Sequence, residues 1–281
     1  MSENKLAYVN GVKICYKIHG KEDSYPIICV HGFGSKKETW ICQVGMLSEK
    51  YKVINYDLRG SGQSERPDKP FTMEMLADDL AGLMDFLKIK SAHFLGFSLG
   101  GMVIQNFVIK YPERVNKIVL INTSAGILRK EGIDMFKNNQ LRRIELIKKD
   151  AAKVFWQDVK VGFYIRFRKQ MEANPKKKFH GIWSSEDLIE YIKINPSTPQ
   201  DVENQAYAVK SHNTYDRLSE IKNEVLLISA SHDRLVPRAS MLDIHKRIPN
   251  SIFKVIDKAG HEVHRSNAPE VNKIILDFLE S

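Results

Sequence analysis

The sequence has few cysteines and no long apolar run. Its three cysteines, Cys15, Cys29 and Cys42, are an odd number, and none forms a C-x-x-C pair. This usage favours reduced thiols over a disulfide framework. No uninterrupted apolar stretch is long enough for a membrane span, and the first residues, MSENKLAYVN, lack the apolar segment of a secretion signal. We therefore expect a cytoplasmic protein that does not span a membrane.

Sequence motifs for metals and nucleotides are also missing. The chain contains no H-E-x-x-H pattern, no P-loop and no G-x-G-x-x-G turn. We therefore expect chemistry that needs neither a metal ion nor an organic cofactor.

The basic charge is concentrated in one part of the chain. The formal net charge is +9, and most of the excess lies between residues 126 and 200, which hold 16 basic and 9 acidic residues. The longest basic run, at Lys176, Lys177 and Lys178, has no aromatic residues interleaved with it. We therefore expect no nucleic-acid partner, and a weak preference for anionic substrates fits this charge better.

Short apolar runs alternate with helical patterns over most of the chain, which indicates a parallel sheet with helical crossovers. An Asn10-Gly11 hairpin precedes them. The predicted strands are Ile27 to Val30, Tyr51 to Tyr56, His93 to Leu95, Lys117 to Asn122, Val225 to Ser229 and Ile252 to Ile256. The predicted helices are Glu38 to Leu47, Met73 to Leu87, Gly101 to Lys110, Pro237 to Ile248 and Pro269 to Leu279.

The alternation stops between residues 125 and 212, where the sequence is charged, aromatic and helical in pattern. Amphipathic helices are predicted from Asn138 to Trp156 and from Val159 to Met171, and Asn195 to Pro199 is a turn into another helix. A chain of 281 residues suits one core domain with an inserted piece. We therefore expect a core from residues 1–124 and 213–281, with a helical insertion at 125–212.

The segment Gly96-Phe97-Ser98-Leu99-Gly100 fits the pattern G-x-S-x-G between a predicted strand and a predicted helix. In this pattern the serine occupies a sharp strand-to-helix turn that exposes its hydroxyl group, and the glycines give the turn room. Ser98 is therefore the candidate nucleophile.

A serine nucleophile needs a base that removes its proton and a carboxylate that orients the base. His261 and Asp233 each follow a late strand, and parallel strands end at one edge of the sheet. The strand that ends at Asn122 offers no carboxylate.

Asp57 is interpreted as bracing its own turn, and His264 is the alternative base. A metal site is not expected. Three other histidines, His31, His93 and His232, are interpreted as packing or loop residues.

Five motifs resemble those of the α/β-hydrolase fold superfamily, in its esterase, lipase and dehalogenase-like group. They are HGFG at 31–34, DLRGSGQS at 57–64, GFSLGG at 96–101, DRLVP at 233–237 and Gly260-His261. The resemblance implies a twisted, mostly parallel eight-stranded sheet flanked by helices, with a helical cap inserted at 125–212. It also implies an oxyanion hole formed by the backbone N–H groups of Phe33 and Leu99.

The serine at position 98 separates this chain from haloalkane dehalogenases and epoxide hydrolases of the fold, which carry an aspartate as the nucleophile in the corresponding strand-to-helix turn. The leading hypothesis is a serine esterase that cleaves a small carboxylic ester or lactone through Ser98, His261 and Asp233. Hydrolysis of a carbon–carbon bond by the same residues is an alternative. A ligand-binding or signalling protein that keeps the triad is another alternative. The sequence does not predict the oligomeric state.

Overall fold

The computed structural model describes residues 3–126 and 130–281, which form an α/β fold around one eight-stranded sheet. The strands are β1 (Lys5–Val9), β2 (Val12–His19), β3 (Pro26–Val30), β4 (Lys52–Tyr56), β5 (Ala92–Phe97), β6 (Val115–Ile121), β7 (Glu224–Ala230) and β8 (Ser251–Ile256). Their spatial order is β1-β2-β4-β3-β5-β6-β7-β8. Only the two pairs that involve β2 are antiparallel. The predicted fold class, a mostly parallel sheet with helices, is confirmed.

The first two strands form the predicted hairpin. Val9 pairs with Val12, so Asn10 and Gly11 alone make the turn. Their φ angles are 47° and 77°, the positive values that both central residues of such a turn require.

Helices cover both faces of the sheet. They are α1 (Ile41–Leu47), α2 (Met73–Phe86), α3 (Leu99–Lys110), α4 (Lys130–Lys149), α5 (Ala151–Gly162), α6 (Ile165–Ala173), α7 (Ser185–Lys193), α8 (Pro199–Ser211), α9 (Arg238–Arg247), α10 (Val263–Ser266) and α11 (Ala268–Glu280). Side chains of α2, α3 and α9 pack with Ile28 and Val30 of β3 on one face, whereas α11 packs with Ile27 and Cys29 on the other. Alternate residues of one apolar strand therefore fill two separate cores, as expected for a strand buried on both faces.

Thr72 determines where the long helix α2 begins. Its hydroxyl oxygen accepts a hydrogen bond from the backbone N–H of Met75 at 3.2 Å, which satisfies one of the free amides of the first turn. The predicted start at Met73 is confirmed.

Helices α4 to α8 lie between β6 and β7, in the segment where the sequence predicted an insertion. Its two ends lie side by side, because the N–H of Thr214 donates to the carbonyl of Ala125 at 2.8 Å. Residues 127–129, which belong to the predicted insertion, lie outside the described residues. We call α4 to α8 the helical insertion, and a separate cap domain at 125–212 stays a prediction.

The predicted helix limits inside the insertion were wrong. A single helix from Asn138 to Trp156 is instead divided at Asp150, whose carboxylate accepts from the N–H of Lys153 at 2.9 Å and so begins α5. The helix predicted from Val159 to Met171 is divided at Phe163 and Tyr164, both in extended conformation. Side-chain periodicity continues across both breaks, so it did not reveal them.

Among the described residues, no helix is both long enough and apolar enough to cross a membrane.

Candidate active site

Ser98 occupies the turn between β5 and α3. Its backbone has φ 52° and ψ −118°, a conformation that side-chain-bearing residues rarely adopt. The turn is tight because a Cβ atom at Gly100 would lie 2.1 Å from the carbonyl oxygen of Val30, and one at Gly96 would lie 2.8 Å from the oxygen of Gly100. Thr123 supports it by donating its hydroxyl to the carbonyl of Ser98 at 2.7 Å. The glycines of the motif are therefore required by close backbone approach.

His261 and Asp233 form a hydrogen-bonded pair beyond the ends of β7 and β8. The Nδ1 atom of His261 lies 2.7 Å from Oδ2 of Asp233, and both side chains are buried. The other carboxylate oxygen, Oδ1, accepts from the N–H groups of Leu235 and Val236 at 2.8 and 2.9 Å. These bonds fix the carboxylate, which in turn orients the imidazole by its Nδ1 atom and leaves Nε2 as the nitrogen away from Asp233.

Asn122 links the loops that carry this pair. Its side-chain amide donates to the carbonyl of His261 at 2.8 Å, and its oxygen accepts from the N–H of Ala230 at 2.9 Å. In the sequence, the end of β6 was considered only as a place for a carboxylate, so this linking role was not predicted. A polar residue directly after a buried strand was the available signal.

The alternative site residues have other roles in the structure. Asp57 accepts from both nitrogens of Lys37 and from the N–H of Gln63, so it joins its own turn to the loop after β3. His264 is fully buried, and burial lowers its pKa well below the ordinary histidine value, with the Arg265 charge adding to the effect. His31 accepts from the N–H of Leu58 at 3.0 Å and so packs within the same pair of loops.

A cavity of about 830 Å³ lies between the carboxyl end of the sheet and the helical insertion. Ser98, Leu99, Phe33 and His261 all line it, whereas Asp233 lies behind His261. The structure thus brings four of the five predicted site residues to one cavity. The fifth, Asp233, contacts His261.

The insertion holds the loop that follows β3. The N–H of Gly34 donates to the side-chain oxygen of Gln205 in α8 at 2.9 Å. The ring of Phe33 meets that of Phe136 in α4 edge-on, with 5.1 Å between centroids. The position of the Phe33 backbone, a candidate oxyanion donor, therefore depends on the insertion.

The same loop carries an unusual lysine. Lys36 lines the cavity and is 8% exposed, and its ammonium group donates to the carbonyls of Tyr191 and Ile194 at the end of α7. Burial lowers the pKa of Lys36 to about 8.

The described side chains include no cluster of three or more His, Cys, Asp or Glu residues that could hold a metal ion.

Comparison with known proteins identifies the family. A family model described as "alpha/beta hydrolase fold" matches residues 25–268. Over the full length of both chains, the protein is 27% identical to a candidate 2-succinyl-6-hydroxy-2,4-cyclohexadiene-1-carboxylate synthase of Bacillus subtilis.

Two solved structures are similar over nearly the whole chain. The enol-lactonase of Burkholderia xenovorans is 25% identical with a TM-score of 0.82, over 99% of this chain and 100% of that one. An esterase of Thermogutta terrifontis is 25% identical with a TM-score of 0.80, over 99% of this chain and 98% of that one.

Proposed function

The chain belongs to the α/β-hydrolase fold family, and from this premise we propose that it is a serine hydrolase that cleaves a small carboxylic ester or lactone. The observation that carries the proposal is the common cavity lined by Ser98, His261, Phe33 and Leu99, with Asp233 bonded to His261. The similarity to an enol-lactonase and an esterase supports this choice of substrate.

In the first half of the proposed reaction, the Ser98 hydroxyl attacks the acyl carbonyl carbon. Nε2 of His261 takes the hydroxyl proton, and Asp233 stabilises the imidazolium that forms. The backbone N–H groups of Phe33 and Leu99 bind the oxyanion, and such a donor contributes on the order of 3 kcal/mol. The imidazolium then donates its proton to the leaving alcohol, and an ester of Ser98 remains.

In the second half, water attacks the acyl group on Ser98 while Nε2 of His261 takes its proton. Collapse of the second tetrahedral intermediate returns the proton to the Ser98 oxygen and releases the acid. A lactone substrate gives one hydroxy acid, because its acyl and alcohol parts are joined.

The test is stopped-flow hydrolysis of p-nitrophenyl acetate and p-nitrophenyl butyrate by wild type and Ser98→Ala. A burst of p-nitrophenol followed by steady turnover, absent from the variant, is the expected result. Wild-type protein that releases no p-nitrophenol would contradict ester hydrolysis. Carbon–carbon bond substrates and ligand-dependent partner binding would then be tested.

A further inference from the structure

Cationic side chains outnumber carboxylates along the cavity wall. Lys36, Arg142, Arg143, Arg234 and Arg265 line it, against Asp158 and Glu262. Nε of Arg143 lies 2.7 Å from Oδ2 of Asp158, and Nε of Arg265 lies 3.6 Å from Oε2 of Glu262. Of the three remaining cations, only Lys36 is buried, and no carboxylate of the described residues lies within 4 Å of its ammonium group. The charges of Glu38 and Asp57 act on Lys36 only from beyond contact distance. A buried cation without a counter-charge in contact is costly, so a ligand anion would be favoured there.

The hydrogen bonds of Lys36 to other described residues use two of its three N–H donors. A lysine ammonium group has three N–H bonds. Two of them donate to the carbonyls of Tyr191 and Ile194, and the nitrogen lies 4.0 Å from the centre of the Tyr191 ring. The side chain is therefore held in place before any ligand binds, which lowers the entropy that ligand binding would cost.

Arg265 is a second buried cation of the cavity wall, beside the same tyrosine ring. Its guanidinium carbon lies 5.4 Å from the centre of the same Tyr191 ring, and one N–H donates to the hydroxyl of Thr39 at 3.1 Å. Its Nε is buried and has no hydrogen-bond partner among the described residues. Glu262 balances one positive charge, so the pair Lys36 and Arg265 retains a net positive charge.

We propose that Lys36 and Arg265 bind a carboxylate at the end of the substrate's acyl chain. Lys36 lies in the same loop as Phe33, whose amide would hold the acyl oxygen, so we assign the anion to the acyl part of the ester. The inference rests on the proposed function and narrows its substrate class to dicarboxylic acid monoesters and carboxylate-bearing lactones.

The test compares two esters that differ only at the end of the acyl chain. Mono-p-nitrophenyl glutarate has a carboxylate where p-nitrophenyl pentanoate has a methyl group. The measured quantity is the ratio of kcat/KM for the glutarate ester to that for the pentanoate ester. The variant Lys36→Gln removes the charge but keeps two N–H donors for the carbonyls of α7. We expect the ratio to fall about 10- to 100-fold, the size of a hydrogen bond to a charged group.

Two further variants separate charge at this site from other effects. Lys36→Arg keeps the charge and should retain most of the preference. Lys169→Gln removes one exposed positive charge from α6, outside the cavity, and should leave the ratio unchanged. If Lys36 only holds the end of α7, Lys36→Gln will change both esters alike, and an unchanged ratio overturns the proposal.

A binding experiment separates this inference from the proposed function. Glutarate is titrated calorimetrically into Ser98→Ala and into Ser98→Ala with Lys36→Gln. Binding that is lost with Lys36→Gln supports the anion site even if wild type hydrolyses neither ester, in which case only the proposed function fails. Turnover of both esters with no Lys36-dependent glutarate binding overturns the anion site alone.

Discussion

Nδ1 of His261 lies 2.7 Å from Oδ2 of Asp233, although 28 positions separate the two residues in the sequence. Only one imidazole tautomer suits this contact, the one with a proton on Nδ1 and a lone pair on Nε2. If Ser98 is the nucleophile, that lone pair is the base that the reaction needs.

The variant Asp233→Asn should therefore lose activity without losing the fold. An amide group can donate to Nδ1 and so favours the wrong tautomer, and kcat should fall on the order of 10³- to 10⁴-fold. The control is Asp257→Asn, which changes an exposed carboxylate just after the neighbouring strand β8. Steady-state kinetics with p-nitrophenyl butyrate measures both variants. Similar activity in the two variants would exclude Asp233 from the mechanism.

Gly100→Ala should destabilise the protein strongly. The new Cβ would lie 2.1 Å from the backbone oxygen of Val30, so β3 and α3 would have to separate. We expect a loss of about 3 kcal/mol or more in the free energy of unfolding, measured in urea. Gly45→Ala is the matched control, because a Cβ there meets nothing within 4 Å inside α1. It should gain about 0.5–1 kcal/mol. Equal stability of the two variants would contradict the close approach of Gly100 to the backbone of Val30.

Stability should fall as the pH is lowered from 7 to 5. Burial lowers the pKa of His93 and of His212 to about 4, against about 6.5 in an unfolded chain. Below pH 6.5 the unfolded state therefore binds more protons than the folded state, so acid favours unfolding. Each histidine should account for on the order of 1–2 kcal/mol over this interval.

The histidine contribution can be isolated with one variant. Nδ1 of His93 accepts from the N–H of Lys117 at 3.2 Å, and a glutamine oxygen offers a similar acceptor. The difference in unfolding free energy between pH 7 and pH 5 should be smaller in His93→Gln than in wild type. His232→Gln, at an exposed position, should keep the wild-type difference. If this pH difference in unfolding free energy is the same in all three proteins, His93 does not contribute to it.

The preference for an anionic acyl chain should depend on pH through Lys36. Burial lowers its pKa to about 8; the charges of Glu38 and Asp57 raise this pKa, and those of Lys37 and Arg265 lower it. As the pH rises through about 8, Lys36 loses its proton, and the glutarate-to-pentanoate ratio should fall. Taking the ratio cancels the titration of groups that both esters need. Lys36→Arg should give a flat ratio, because arginine stays charged. A flat wild-type ratio from pH 6.5 to 9.5 would contradict this role.

The sheet and the tight turn at Ser98 could be predicted because the sequence patterns that indicate them are local. A strand buried on both faces is a continuous apolar run, and the tight turn at Ser98 requires glycines at fixed spacing. The helix limits of the insertion were not predictable in this way. Asp150 ends one helical pattern and begins the next, and an aspartate within an amphipathic pattern is most often a solvated residue.

The buried charges that line the cavity could not be predicted from the sequence either. A lysine in a loop is normally solvated. Lys36 is buried only because the chain returns 155 positions later to cover it with Tyr191. Asn122 acts through the carbonyl of His261, 139 positions away. No local pattern reports contacts of this kind, so the roles of Lys36 and Arg265, and the partners of Asn122, became visible only in the folded chain.

The most direct measurement is covalent labelling with diisopropyl fluorophosphate, followed by intact mass and peptide mapping. We expect one adduct per chain, on Ser98, with none in Ser98→Ala and a much slower reaction in Asp233→Asn. The reagent needs an activated serine but no knowledge of the natural substrate, so it tests the role of Ser98 as nucleophile alone. Failure of Ser98 to react, or reaction at another serine instead, would exclude Ser98 as the nucleophile.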